Sequence, residues 1–218
     1  MLEHEKRIGQ PVAPAVVLLH GRGSNRHDLF GLTAHLPEQW SVLAPEAPFP
    51  AAQWGYGPGS AWYRFMGRNR PEPDSFRTSL AELDAFVRAI PDLLGFTPPA
   101  IAVGGFSQGG TMSIGYALTH PGVIPMVVNF SGFVADHPDV RVNADNVAGT
   151  RFFWGHGTRD PQIPFDLAVE GRAQLRDAGA DLEAHDYPIG HTIAAQELAD
   201  AIAFITHGAR RFSLQNPG

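Results

Sequence analysis

Residues 101–110 of the chain read Ile-Ala-Val-Gly-Gly-Phe-Ser-Gln-Gly-Gly. The apolar run Ile101–Val103 predicts a buried strand, and Thr111–Thr119 just after the quoted stretch has the pattern of a helix. Gly-Phe-Ser-Gln-Gly lies between them and matches Gly-x-Ser-x-Gly, a sharp strand-to-helix turn that exposes a serine above the sheet. The motif alone arises easily by chance, but this context distinguishes it from an ordinary glycine-rich turn. The stretch therefore predicts that Ser107 is a nucleophile.

Short apolar runs predict five further strands: Ala15–Leu19, Ser41–Ala44, Met126–Phe130, Phe152–Trp154 and Leu182–Tyr187. Apolar residues spaced by three and four, together with cap signals, predict four further helices: Asp28–Leu36, Ser75–Leu94, Phe165–Ala178 and Ile193–Thr206. We expect Asp74 or Ser75 to cap the second helix, Pro91 to kink or end it, and Gly208 to end the last one. Strands and helices that alternate in this way indicate an α/β fold with a mostly parallel sheet covered on both faces.

The composition suits one globular enzyme domain, residues 1–218, with 44% hydrophobic and 17% charged residues. The net charge of −6, without a long basic run, argues against a nucleic acid partner. No apolar stretch reaches the roughly 18–20 residues of a membrane-spanning helix, and the charged N-terminus does not resemble a secretory signal, so we expect a cytoplasmic protein. The absence of cysteine excludes disulfides, thiol catalysis and cysteine–zinc sites.

An acid and a base for Ser107 are predicted from chain order, which runs serine, acid, histidine where such a turn carries a catalytic triad. Asp160 lies in a loop after the Phe152–Trp154 strand. His191 lies in the loop between the Leu182–Tyr187 strand and the last helix. Other carboxylates fit less well: Asp136 and Asp139 follow the wrong strand, Asp166 begins a helix, and Asp186 is within a strand.

A loop of sequence His20-Gly-Arg-Gly follows the first predicted strand and indicates an oxyanion hole. Such a loop offers one backbone N–H group, and the residue after the nucleophile offers another. Our candidates are the backbone N–H groups of Arg22 and Gln108, and we expect His20 to brace the loop. His156 lies four residues before Asp160, but two ligands are too few for zinc, so we expect no metal and no cofactor.

Taken together, four segments of the chain resemble the phospholipase/carboxylesterase family of α/β-hydrolases: residues 19–23, 105–110, 155–164 and 190–193. The resemblance spans residues 16–204 and implies an α/β-hydrolase fold with Ser107 as nucleophile, Asp160 as acid and His191 as base. It also places Arg22 and Gln108 in the oxyanion hole. The family includes small carboxylesterases, lysophospholipases and acyl-protein thioesterases. Its eukaryotic thioesterase branch usually has an aliphatic residue where this chain has Arg22, which favours a small carboxylesterase of bacterial type.

The substrate pocket is predicted less directly. Only 20 residues separate Phe130 from Arg151, too few for a separate lid domain, so the long stretch 46–73 should bound the pocket. We expect its Trp54, Trp62 and Tyr63 to form an apolar wall, unless these rings fill a core beneath the loop.

The arginines that follow them, Arg64, Arg68 and Arg70, suit a solvated rim or an anion site. We expect a carboxylesterase acting on esters of small to medium acyl groups. A lysophospholipase or an acyl-protein thioesterase is the alternative, and a peptidase, an acyltransferase or a non-catalytic binding protein fits less well. The sequence indicates neither the physiological ester nor whether the chain forms a homo-oligomer.

Overall fold

The computed structural model describes residues 1–215 of the chain, with side chains up to Arg211. Its strands, in chain order, are β1 His4–Arg7, β2 Ala15–Leu19, β3 Ser41–Pro45, β4 Phe49–Pro50, β5 Ser60–Ala61, β6 Ile101–Phe106, β7 Met126–Phe130, β8 Arg151–Gly157 and β9 Asp181–Tyr187. Its α-helices are α1 Arg26–Phe30, α2 Pro73–Arg88, α3 Ile90–Leu94, α4 Gln108–Thr119, α5 Ala144–Val147, α6 Phe165–Asp177 and α7 Ala195–Gln215.

Seven strands form one sheet in the order β1-β3-β2-β6-β7-β8-β9. Strand β1 is antiparallel to β3, and every other neighbouring pair is parallel. The carboxyl ends of the parallel strands therefore meet at one edge, where the loops after β2, β6, β8 and β9 converge. This confirms the predicted α/β-hydrolase fold.

The core lies on both faces of the sheet, which explains why the central strands lack polar alternation. In β2, Val17 and Leu19 pack into one cluster, while Val16 and Leu18 pack into the other. Helices α2, α4 and α6 cover the first face, and α1 and α7 cover the second. Residues 131–150 carry only the single turn α5, so no lid domain is inserted there.

Helix α2 differs from its prediction at the start. It begins at Pro73, and its cap is Glu72 rather than Asp74 or Ser75, because the Glu72 carboxylate accepts hydrogen bonds from the N–H groups of both those residues. The helix ends at Arg88 and α3 follows at Ile90, which confirms the break expected near Pro91.

Two further differences concern the ends of the chain. Helix α7 continues past Gly208 and does not end there as expected. This glycine instead allows the helix to approach Met126, because a Cβ atom at Gly208 would collide with the Met126 sulfur. Strand β1 was not predicted, since the sequence His-Glu-Lys-Arg has no apolar pattern and pairs only at the sheet edge. Within residues 1–215, no helix is both long and apolar enough to span a membrane.

Candidate active site

Ser107 occupies the turn between β6 and α4 with φ 57° and ψ −115°, a conformation that few non-glycine residues adopt. Its N–H donates to the Phe130 carbonyl at 2.8 Å, which ties the turn to β7. A Cβ atom at Gly105 would collide with Gly109, and one at Gly109 would collide with the Leu19 carbonyl. Glycine is required on both sides of Ser107 because the turn packs against itself and against the end of β2.

The loops after β8 and β9 bring Asp160 and His191 together. His191 Nδ1 lies 2.6 Å from Asp160 Oδ2, and both side chains are almost fully buried. The other carboxylate oxygen, Oδ1, accepts from the N–H groups of Gln162 and Ile163 at 2.8 and 2.9 Å. Both oxygens are therefore occupied, and the carboxylate is fixed to receive the Nδ1 proton of the imidazole, leaving Nε2 as the free basic nitrogen.

Ser107 and His191 line the same cleft, and the ring of Phe106, next to the serine, packs at 4.6 Å from the imidazole centroid. Among the described residues, the Ser107 hydroxyl makes no hydrogen bond to His191. Such a bond often forms only when substrate is bound, so its absence here does not separate the two residues functionally.

His156 braces the loop that carries Asp160. Its Nε2 donates to the Ile163 carbonyl at 3.0 Å and lies 3.7 Å from Asp160 Oδ2. Burial lowers the pKa of His156, which keeps the ring neutral. In the part of the chain that the structure describes, no group of three or more histidine or acidic side chains could hold a metal ion.

The loop after β2 lies directly beside Ser107, since a Cβ atom on Gly21 would come within 3.7 Å of Ser107 Cβ. The backbone N–H of Arg22 makes no hydrogen bond to any described residue. Gln108 is the first residue of α4, so its N–H has no acceptor within the helix. Two backbone donors at this edge of the sheet are thus free to bind a developing oxyanion.

His20 fixes the shape of that loop. Its Nδ1 donates to the Gly21 carbonyl at 2.8 Å, and its Nε2 accepts from the Ala47 N–H at 3.1 Å. Burial lowers the pKa of His20, so the neutral ring can serve as donor and acceptor at once.

The side chain of Gln108 has a structural role that the sequence did not reveal. Its Nε2 donates to the Tyr63 carbonyl at 2.7 Å, and its Oε1 accepts from the Trp62 N–H at 2.9 Å. Gln108 thereby clamps the 46–73 stretch to the serine turn. The sequence signal for this contact was the glutamine that follows Ser107, but its partners lie 45 and 46 residues away in sequence.

The cleft has a volume of about 680 Å³. Its apolar walls include Ile163 and five aromatic rings, namely Tyr56, Tyr63, Phe65, Phe106 and Phe133. Of the three rings expected there, the structure places Tyr63 on the wall.

The other two expected rings, Trp62 and Trp54, lie elsewhere. Trp62 is fully buried beneath the cleft, and its indole N–H donates to the His20 carbonyl at 2.9 Å. Trp54 does not line the cleft itself, and its ring centroid lies 5.1 Å from that of Phe49 and 6.0 Å from that of the lining residue Tyr56. The expectation that a ring fills a core beneath the 46–73 stretch was therefore right for Trp62. The expectation that Trp54 and Trp62 line the cleft was wrong.

The three arginines of the long loop do not line the cleft. Arg68 pairs with Glu170 at 2.6 Å and Asp166 at 3.5 Å, on the surface. Arg64 and Arg70 are exposed and have no carboxylate within ion-pair distance among the described residues. They fit a solvated rim.

Comparison with known proteins agrees with this architecture. A family model described as phospholipase/carboxylesterase matches residues 6–208. A protein of Oryza sativa subsp. japonica named "Probable carboxylesterase" is 33% identical over 198 residues, covering 84% of this chain and 73% of its own. Acyl-protein thioesterase 1 of Saccharomyces cerevisiae is 24% identical and covers 90% and 93%. The crystal structure of esterase PE8 is 28% identical, with a TM-score of 0.82 and coverage of 95% and 99%. The chain belongs to the phospholipase/carboxylesterase family of α/β-hydrolases.

Proposed function

We propose that this hydrolase is a serine carboxylesterase that cleaves esters of small to medium acyl groups through an acyl-enzyme, with Ser107, Asp160 and His191 as its triad. One observation carries the assignment: a serine in a strained strand-to-helix turn shares a cleft with a histidine whose Nδ1 lies 2.6 Å from a buried carboxylate. That arrangement has the components of a nucleophile, a base and a group that orients the base.

The chemistry follows from these positions. The Asp160 carboxylate accepts the Nδ1 proton of His191, so Nε2 takes the proton of the Ser107 hydroxyl as its oxygen attacks the ester carbonyl. The N–H groups of Arg22 and Gln108 stabilise the tetrahedral oxyanion. His191 then returns the proton to the leaving alcohol oxygen, and water, activated by the same Nε2, hydrolyses the acyl-enzyme and restores the serine.

The proposed acyl range rests on the walls of the cleft. Each buried CH₂ group contributes about 0.8 kcal/mol only while it touches apolar wall. The rings of Tyr63, Phe65 and Phe133 supply such wall near Ser107, while polar groups such as Gln162 and Asp28 also line the cleft. Acyl-protein thioesterase activity, the named activity of several relatives, is the alternative, and it requires a long apolar path for a lipid chain.

Two measurements test the proposal. A fluorophosphonate probe should label the wild type once per chain and leave Ser107→Ala unlabelled, and labelling that survives this substitution would exclude Ser107 as nucleophile. A panel of p-nitrophenyl esters from acetyl to palmitoyl should give a kcat/KM that rises over the first few carbons and falls beyond medium chains. An optimum at palmitoyl, or preference for a lysophospholipid or an acyl thioester, would instead support the lipid-directed alternatives.

The same panel separates the other chemistries. Peptide substrates report peptidase activity, and an added acceptor alcohol reports acyl transfer. Binding without turnover of any substrate would indicate a non-catalytic binding protein. The cytoplasmic location and the small-molecule ester as partner stay predictions, and cell fractionation tests the first.

A further inference from the structure

The side chain of Arg22 lies beside two aromatic rings of the cleft. Its guanidinium carbon lies 4.7 Å from the ring centroid of Tyr56 and 5.8 Å from that of Phe65. Both rings line the same cleft as Ser107. Each ring makes a cation–π contact with the guanidinium, and the two contacts restrict where this side chain lies.

The N–H groups of the guanidinium have no partner among the described residues. Arg22 is exposed, and its side chain forms no ion pair and no hydrogen bond with any of those residues. Nearby Arg26 shows the contrast, because it lies within ion-pair distance of Glu3, Glu5 and Glu46. A cation that aromatic rings hold in place, and that has no ion-pair partner, can bind an anionic ligand at a low cost in side-chain conformational entropy.

The other charged groups around the cleft do not neutralise it. Asp28 also lines the cleft, but its carboxylate accepts from the Ser24 hydroxyl at 2.7 Å and lies beyond ion-pair distance of Arg22. His191 is hydrogen-bonded to Asp160. Arg22 thus provides five N–H donors, in a geometry that matches a carboxylate, within the cavity that contains the nucleophile.

We propose that Arg22 is a specificity-determining residue and that the preferred ester carries a carboxylate, separated by a short chain from the ester group, which the guanidinium binds. This inference rests on the proposed esterase function and narrows its substrate class to anionic esters. The carboxylate could belong to the acyl half or to the alcohol half of the ester, and the two halves are distinguished experimentally.

The test compares charged and neutral esters of matched shape. For the acyl half, the pair is p-nitrophenyl hemiadipate and p-nitrophenyl hexanoate. For the alcohol half, it is the butyryl esters of 4-hydroxybenzoate and 4-hydroxyacetophenone. The readout is the ratio of kcat/KM for the charged ester to that for the neutral one, because any general effect of a substitution on the oxyanion loop cancels in this ratio.

We expect Arg22→Gln to lower the ratio about 10- to 100-fold in one of the two pairs, the size expected for one charge-assisted contact. Arg22→Lys should give an intermediate ratio, since it keeps the charge but loses the planar fork. Arg70→Gln is the matched control: it removes an exposed, unpaired arginine outside the cleft and should leave both ratios unchanged.

Unchanged ratios in both pairs for Arg22→Gln would overturn the inference while the esterase function stands. An equal fall for Arg70→Gln would also overturn it, because the effect would then come from overall charge. If no ester is hydrolysed and the fluorophosphonate leaves Ser107 unlabelled, the proposed function fails and the inference fails with it.

Discussion

Glu197 is a buried carboxyl group directly behind the loop that carries His191, and we predict that replacing it with glutamine stabilises the protein above neutral pH. The residue is fully buried near the start of α7 and packs against Gly155 of β8. Its Oε2 accepts from the Ala194 N–H at 3.2 Å, whereas Oε1 has no hydrogen-bond partner among the described residues. Glutamine has nearly the same shape, and its amide oxygen can still accept from Ala194.

The magnitude follows from the carboxyl's surroundings. Burial raises the pKa of Glu197 from the usual 4.5 to about 7, with the Asp200 charge adding to the rise and Arg172 and the Ala194 N–H opposing it. Below pH 4.5 the Glu197 carboxyl is protonated in both the folded protein and the unfolded chain. Between pH 4.5 and 7 the unfolded chain releases the proton and the folded protein keeps it, so the free energy of unfolding falls as pH rises. At about 1.4 kcal/mol per pKa unit, the full loss is about 3 kcal/mol.

The assay is urea unfolding of wild type and Glu197→Gln at intervals from pH 4.5 to 8. The variant should match the wild type at the acid end and exceed its free energy of unfolding by up to about 3 kcal/mol at pH 8. Glu38→Gln, at an exposed position, is the control and should show no such trend. A difference between Glu197→Gln and wild type that does not change with pH would refute the reasoning, because it would show that the carboxyl does not titrate in this range.

Two further predictions concern the cleft and the triad. Asp160→Asn should fold normally but lower kcat on the order of 10⁴-fold, because an amide no longer holds the His191 tautomer. Steady-state kinetics that compare Asp160→Asn with Asp186→Asn test this choice of acid. Trp62→Ala should destabilise the fold by about 3–5 kcal/mol, since the ring is core, whereas Phe133→Ala should move the acyl-length optimum toward longer chains. The p-nitrophenyl ester panel and thermal unfolding distinguish these two effects, and an unchanged optimum in Phe133→Ala would remove that ring from the acyl wall.

The sequence predicted the features that depend on local pattern and on parallel-sheet geometry. Strands β2 and β7 have the predicted limits, because runs in which nearly every residue is apolar must be buried on both faces. Asp160 and His191 lie 31 residues apart in sequence, yet both follow parallel strands, and carboxyl ends of parallel strands meet at one edge. Their hydrogen bond could thus be anticipated from chain order alone.

What could not be predicted depends on tertiary contacts of irregular segments. The burial of Trp62 is decided by the carbonyl of His20 and the side chain of Gln108, which neither periodicity nor composition reveals. Phe133, whose ring lines the cleft, lies just after β7. Because residues that follow parallel strands meet at one edge of the sheet, the reasoning that selected Asp160 could also have selected Phe133. Strand β1 was missed since its residues are polar and its pairing partner alone makes it a strand.

These same contacts join the walls of the cleft to the machinery proposed for catalysis. The Gln108 side chain binds the backbone of Trp62 and Tyr63, while its own backbone N–H is one of the two proposed oxyanion donors. On the other side, the Gly23 N–H donates to the Ser60 carbonyl at 2.9 Å, which ties the oxyanion loop to the same long stretch. Residues 131–150 form no lid domain, and the walls of the cleft include the same loops that carry these contacts. A change that moves the aromatic wall is therefore also expected to move an oxyanion donor, so that substitutions at the wall should alter kcat as well as KM.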